Sequence, residues 1–81
     1  PTEIDIAVGE RIRELRIEAN LTLSELGAEL GISHQQLQKY ETGTNRLSAG
    51  MLAKVAAKLR VPIQMLFDDP DAAPAPIPAK V

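Results

Sequence analysis

The stretch "LSELGAELGISHQQLQKYET", residues 23–42, decides the fold. It divides at Gly31 into two short amphipathic halves. Ahead of the first half stands Thr22, and Thr22-Leu23-Ser24-Glu25 has the form of a capping box, in which Thr and Glu satisfy each other's free backbone amides. Gly31 is the residue type that follows a helix's last turn. The second half opens at once with Ser33-His34-Gln35-Gln36, a capping box in its Ser-x-x-Gln form, and Gly43 closes it.

Two helices joined by about three residues that include a glycine make a helix-turn-helix. Counting Leu23 as position 1, positions 4, 8, 10, 15 and 18 must be apolar to fill the angle between the helices. They are Leu26, Leu30, Ile32, Leu37 and Tyr40. Position 5, where the second helix crosses, must be small and is Gly27; position 9 must turn and is Gly31. All of these requirements are met together.

The outward side of the second helix is unusual. At about 100° per residue, His34, Gln35, Gln38, Lys39 and Thr42 share one face, while Leu37 and Tyr40 point the other way. Solvent-facing helices ordinarily carry Glu and Lys in i,i+4 pairs. Neutral amides and an imidazole suit base edges instead: Gln pairs bidentately with adenine, and Lys reaches guanine O6 and N7. Carboxylates, which phosphates would repel, are missing from this face. The other reading of the same residues is a plain solvated surface. Phosphate contacts would come from the amino ends of both helices, capped by Thr22 and Ser33, and from Thr44, Asn45 and Arg46 in the following loop. Lys54 and Lys58, at i,i+4 on the fourth helix, read as ordinary solvent-facing lysines, the other reading being a source of long-range attraction.

Working outward, the formal net charge of −2 is unevenly spread. Residues 1–32 carry three Arg against seven acids, whereas residues 33–60 carry Lys39, Arg46, Lys54, Lys58 and Arg60 against Glu41 alone. A local field of this kind, rather than the whole-chain balance, steers a polyanion. A first helix is expected from Asp5, as N-cap, to Ala19, with Val8, Ile12, Leu15 and Ala19 as one apolar stripe and Asn20 in a left-handed turn. A fourth helix starts at Ser48 and packs Leu52, Val55, Ala56 and Leu59. A short fifth has Pro62 at its first position and runs through Leu66 and Phe67. Residues 1–67 thus read as one all-α domain. Residues 68–81 hold four of the six prolines and are expected to be a disordered Pro/Ala-rich tail or linker.

The 81 residues have no cysteine, so no disulfide or thiolate-bound metal supports so small a core. Association with a second copy is the remaining source of stability. No apolar run approaches the roughly 20 residues of a membrane span. One His, no Cys, no Gly-rich phosphate loop and no paired carboxylates leave no basis for an enzyme, a cofactor or a metal site. A cytoplasmic, nucleoid-associated protein is expected.

Residues 8–67 resemble the Cro and phage-repressor type of helix-turn-helix family, also called the xenobiotic-response-element family. Tyr40-Glu41-Thr42-Gly43 is similar to the signature that ends the family's recognition helix, and Val61-Pro62-Ile63 with Leu66-Phe67 to its closing helix. The resemblance implies a five-helix, lambda-repressor-like bundle that binds double-stranded operator DNA in the major groove, usually as a homodimer. By position it implies Ser33, His34, Gln35, Gln38 and Lys39 as base and phosphate contacts, with Asn45 and Arg46 on the backbone. It also makes Val61, Ile63, Leu66 and Phe67 candidates for a dimer contact. Two departures stand out. Leu23 occupies a position where the family commonly has Gln, and Ile17 interrupts the polar face of the first helix. Together they would form an apolar patch for a protein partner, with the tail as another candidate. The expected function is a sequence-specific transcriptional regulator on a pseudo-palindromic operator; the alternative is a protein-interaction module, an antitoxin or polymerase-associated adaptor, on the same fold.

Overall fold

The computed structural model describes residues 2–67. Helix α1 spans Glu3–Glu18, α2 Leu23–Leu30, α3 His34–Glu41 and α4 Ala49–Leu59, and a 3-10 turn at Ile63–Leu66 closes the order. No strand forms among the described residues. The fold is therefore all-α, with four α-helices there rather than five. Where a fifth helix was expected, only four residues separate Pro62 from Phe67. That is too few to build an i→i+4 ladder, and the Met65 N–H bonds instead to the Pro62 carbonyl at 3.0 Å. Pro62 stands just ahead of the turn in an extended conformation (φ −62°, ψ 145°), not at its first position. The proline-rich tail expected at 68–81 lies outside the described residues.

Helix starts follow side-chain capping. α1 begins earlier than expected because Thr2, not Asp5, is its N-cap. The Thr2 hydroxyl accepts the Asp5 N–H at 3.4 Å, and Asp5 Oδ2 accepts the Thr2 N–H at 2.7 Å. Asp5 is the far half of a capping box. At α2 the Thr22–Glu25 box forms as expected, with reciprocal bonds of 3.0 and 2.9 Å. At α3 only half of the expected box is present: the Ser33 hydroxyl accepts the Gln36 N–H at 3.1 Å, with no return bond from the Gln36 side chain. Ser48 caps α4 in the same one-sided way, at 3.1 Å.

Three of the helix ends share one device. Asn20 (φ 59°), Gly31 (φ 74°) and Arg60 (φ 59°) turn left-handed. The residue after each, Leu21, Ile32 and Val61, returns its N–H to the carbonyl of Arg16, Gly27 and Ala56 at 3.1, 2.9 and 3.0 Å. Each of these three following residues is apolar and packs against the core. The turn thus satisfies loose carbonyls and plants an anchor at once.

The core is built from Val8, Ile12 and Leu15 of α1, Leu26 and Leu30 of α2, Leu37 of α3, Leu47 of the loop before α4, Val55, Ala56 and Leu59 of α4, and Leu66. Ala19, expected on the α1 stripe, is exposed: it is the C-cap, past the point where the chain leaves the helical path. Its predecessor on the inward side is Arg16, which is buried. α3 packs on both α1 and α2. Gly9 permits the first contact, since a Cβ there would lie 2.6 Å from the Glu41 carbonyl oxygen. Gly27 permits the second, with a Cβ falling 2.9 Å from the Ile32 carbonyl oxygen. The closing turn is tied to α1 where Arg11 Nε donates to the Met65 carbonyl at 3.1 Å.

Candidate nucleic-acid interface

The outward side of α3 is set by what the inward side buries. Leu37 is fully enclosed, Glu41 is buried one turn later, and Tyr40 is half-buried beside them. Helical geometry then turns His34, Gln35, Gln38 and Lys39 to solvent, and all four are exposed. None of the four side chains makes a hydrogen bond or ion pair among the described residues, so their polar atoms are unengaged. Thr42, at the C-cap, is exposed on the same side.

At the amino ends, Thr22 and Ser33 are exposed, but their hydroxyls already accept helix amides. The amide of Thr22 holds the Glu25 carboxylate chiefly by a backbone hydrogen bond, which lowers the Glu25 pKa. A carboxylate therefore occupies the start of α2, and the start of α3 is the less obstructed of the two for an anion. The loop after α3 folds back on its helix. The Asn45 N–H bonds to the Lys39 carbonyl at 3.2 Å, and the Thr42 and Thr44 hydroxyls meet at 2.9 Å. Thr44 and Arg46 are exposed and Asn45 is half-buried.

Beneath α3 lies a contact that sequence reasoning missed. Arg16 Nε and Nη2 donate to the two Glu41 carboxylate oxygens at 2.7 and 3.1 Å, and Arg16 Nη1 donates to the Leu21 carbonyl at 2.8 Å. The pair is buried and fastens the end of α3 to α1. Its signal is positional: Arg16 follows Ile12, and Glu41 follows Leu37, by one turn on the inward stripe. Lys54 has a partner that spacing alone does not reveal. It is exposed, as expected, but its ammonium also donates to the Leu30 carbonyl at 2.8 Å and caps the end of α2.

The other expectations divide. Leu66 is fully buried in the core, where the 3-10 turn points it inward. Val61 also packs against the core, which leaves Ile63 and Phe67 exposed at 42% and 53%. Leu23 is partly buried and packs against the core. Of the two residues expected to form an apolar patch, Ile17 is the exposed one, at 48%. No helix among the described residues is long and apolar enough to cross a membrane, and no group of three metal-ligating side chains occurs among them.

This chain matches the family model described as "Helix-turn-helix" over residues 12–66. It is 46% identical over 69 residues to an uncharacterized HTH-type transcriptional regulator of Sinorhizobium medicae, covering 85% of this chain and 50% of that protein. The chain thus spans about half the length of these curated relatives. Among solved structures, the restriction-modification controller protein C.AhdI of Aeromonas hydrophila superposes with a TM-score of 0.73 at 27% identity, covering 76% of this chain and 94% of that one. The master regulator for biofilm formation SinR, solved in complex with DNA, superposes with a TM-score of 0.69 at 34% identity, covering 75% and 98%.

Proposed function

Because this chain belongs to the Cro/phage-repressor type of helix-turn-helix family, we propose that it is a sequence-specific DNA-binding transcriptional regulator. α3 enters the major groove of a pseudo-palindromic operator, and two copies of the chain bind its two halves. Gln35 and Gln38 read adenine N6 and N7, Lys39 reads guanine or an adjacent phosphate, and His34 and Thr42 complete the face. The amide end of α3 with Ser33, then Thr22, Thr44, Asn45 and Arg46, holds the sugar-phosphate backbone. Residues 1–67 are the DNA-binding unit, and its place is at the nucleoid in the cytoplasm.

One observation carries this reading: four polar side chains of α3, His34, Gln35, Gln38 and Lys39, are exposed with no partner among the described residues, on a helix whose opposite side buries Leu37 and Glu41. The SinR likeness supports it, since that relative was solved on DNA. Selection of bound duplexes from a random pool tests it. The enriched site should show two-fold symmetry with half-sites about 10 bp apart. Failure to enrich any duplex above scrambled controls rejects the proposal.

A further inference from the structure

The first turn of α1 and the loop after α3 are distant in sequence and adjacent in space. Arg46 Nε lies 3.2 Å from each oxygen of the Asp5 carboxylate. That carboxylate is itself fixed, since Oδ2 also accepts the Thr2 N–H at 2.7 Å and the Thr2 hydroxyl at 3.1 Å. The Asp5 side chain is 11% exposed, against 66% for Arg46. Beside them Gly43 abuts α1 so closely that a Cβ there would sit 2.7 Å from the Ile6 Cα. The loop therefore has little room to move relative to the helix. Only Nε of Arg46 is engaged. Its two terminal nitrogens, Nη1 and Nη2, have no partner among the described residues.

We propose that Asp5 is a positioning residue for the DNA backbone: it grips Arg46 by Nε so that Nη1 and Nη2 meet a phosphate as a prearranged fork. The inference rests on the DNA-binding reading above and extends the interface to a residue of α1, outside the helix-turn-helix. A guanidinium fork matches phosphate geometry. Immobilising an otherwise free arginine on binding weakens affinity by about two- to tenfold, and an arginine already held in place avoids most of that loss. The opposing effect is repulsion between Asp5 and the same phosphate. It acts across the breadth of the guanidinium, through solvent, and is screened over about 8 Å at physiological salt. Positioning outweighs it under those conditions. The two effects have opposite signs when Asp5 is removed, which makes them separable.

The test measures affinity for a fluorescent duplex taken from the random-pool selection, at about 0.15 M salt, by anisotropy. The proteins are the wild type, Asp5→Ala, Arg46→Ala, the double variant and Thr2→Ala. The last loses the α1 cap hydroxyl but keeps the carboxylate on Arg46. Asp5→Ala should weaken binding about two- to tenfold. Arg46→Ala should weaken it at least as much and reduce the slope of log K against log salt by about one. Adding Asp5→Ala to Arg46→Ala should change nothing further, and Thr2→Ala, which keeps the Thr2 N–H bond to the carboxylate, should weaken binding clearly less than Asp5→Ala. The inference is overturned if Asp5→Ala binds as well as or better than wild type, if it weakens binding equally without Arg46, or if Thr2→Ala reproduces its loss. Each of these outcomes leaves the DNA-binding reading standing. A wild-type protein that enriches no duplex overturns both.

Discussion

Arg16 and Glu41 meet through two hydrogen bonds, 2.7 and 3.1 Å long, in the interior between α1 and the end of α3. Removing one member leaves the other charged and buried, which typically costs about 3–5 kcal/mol. Arg16→Met and Glu41→Leu should each lower the urea midpoint sharply. The pair Arg16→Met with Glu41→Leu should be clearly less harmful than the sum of the two, because no orphaned charge remains. Additive losses would show that the two residues act independently.

Arg60 ends α4 in a left-handed conformation that side chains with a Cβ adopt at a cost of roughly 1–2 kcal/mol. Glycine removes that cost but gains freedom in the unfolded chain, so Arg60→Gly should stabilise by about 0.5–1 kcal/mol. For a domain of this size the thermal midpoint should rise by several degrees, about 4–8 °C per kcal/mol. A lower midpoint would mean that the Arg60 side chain contributes contacts outweighing its backbone strain.

Two carboxylates give the fold an acid limit. Asp5 is held below its ordinary pKa by the Thr2 backbone N–H first, with the Thr2 hydroxyl and Arg46 adding to it, and Glu25 by the Thr22 backbone N–H. A lowered native pKa means that the unfolded chain takes up protons first. The stabilisation is thus complete above the ordinary carboxylate pKa of about 4 and disappears as pH falls through the lower native values. Glu25→Gln should make stability less steep in pH below about 4.5 while leaving its slope at neutral pH unchanged. An acid limb identical to that of the wild type would contradict this assignment.

The exposed face of α3 can be examined base by base. Gln35→Ala or Gln38→Ala should relax preference at one base pair, at about 1–3 kcal/mol each, with thermal stability nearly unchanged. Lys39→Ala should either relax preference at a guanine or weaken all duplexes alike and flatten the salt dependence. Selections repeated with each variant distinguish these results. If none of the three alters either the preferred sequence or the affinity, α3 does not lie in the groove.

Much of this architecture was legible from local chemistry. The Thr22–Glu25 box, the turn at Gly31, the left-handed Asn20 and the exposure of His34, Gln35, Gln38 and Lys39 all follow from spacing and cap preference. The features that escaped depend on tertiary partners. Thr2 and Asp5 are both good caps, and only the full box shows that the helix starts at the earlier one. Arg16 and Glu41 look like solvent residues until each is seen to supply the other's charge. Arg60 is a helix-favouring residue whose left-handed turn is fixed by Val61 reaching the core. Lys54 finds its role only in a carbonyl of another helix. Which groups α3 contacts was never written in periodicity, since spacing fixes which way a side chain points and not what it meets.

The idle state of the His34, Gln35, Gln38 and Lys39 side chains has an evolutionary corollary. Among the described residues no hydrogen bond or ion pair of the scaffold uses these side chains, so they can be exchanged like type in a printing frame while the frame stays locked by Leu37, Glu41 and the glycine crossings. Descendants of such a chain are free to drift toward new targets in single steps, without passing through an unfolded ancestor.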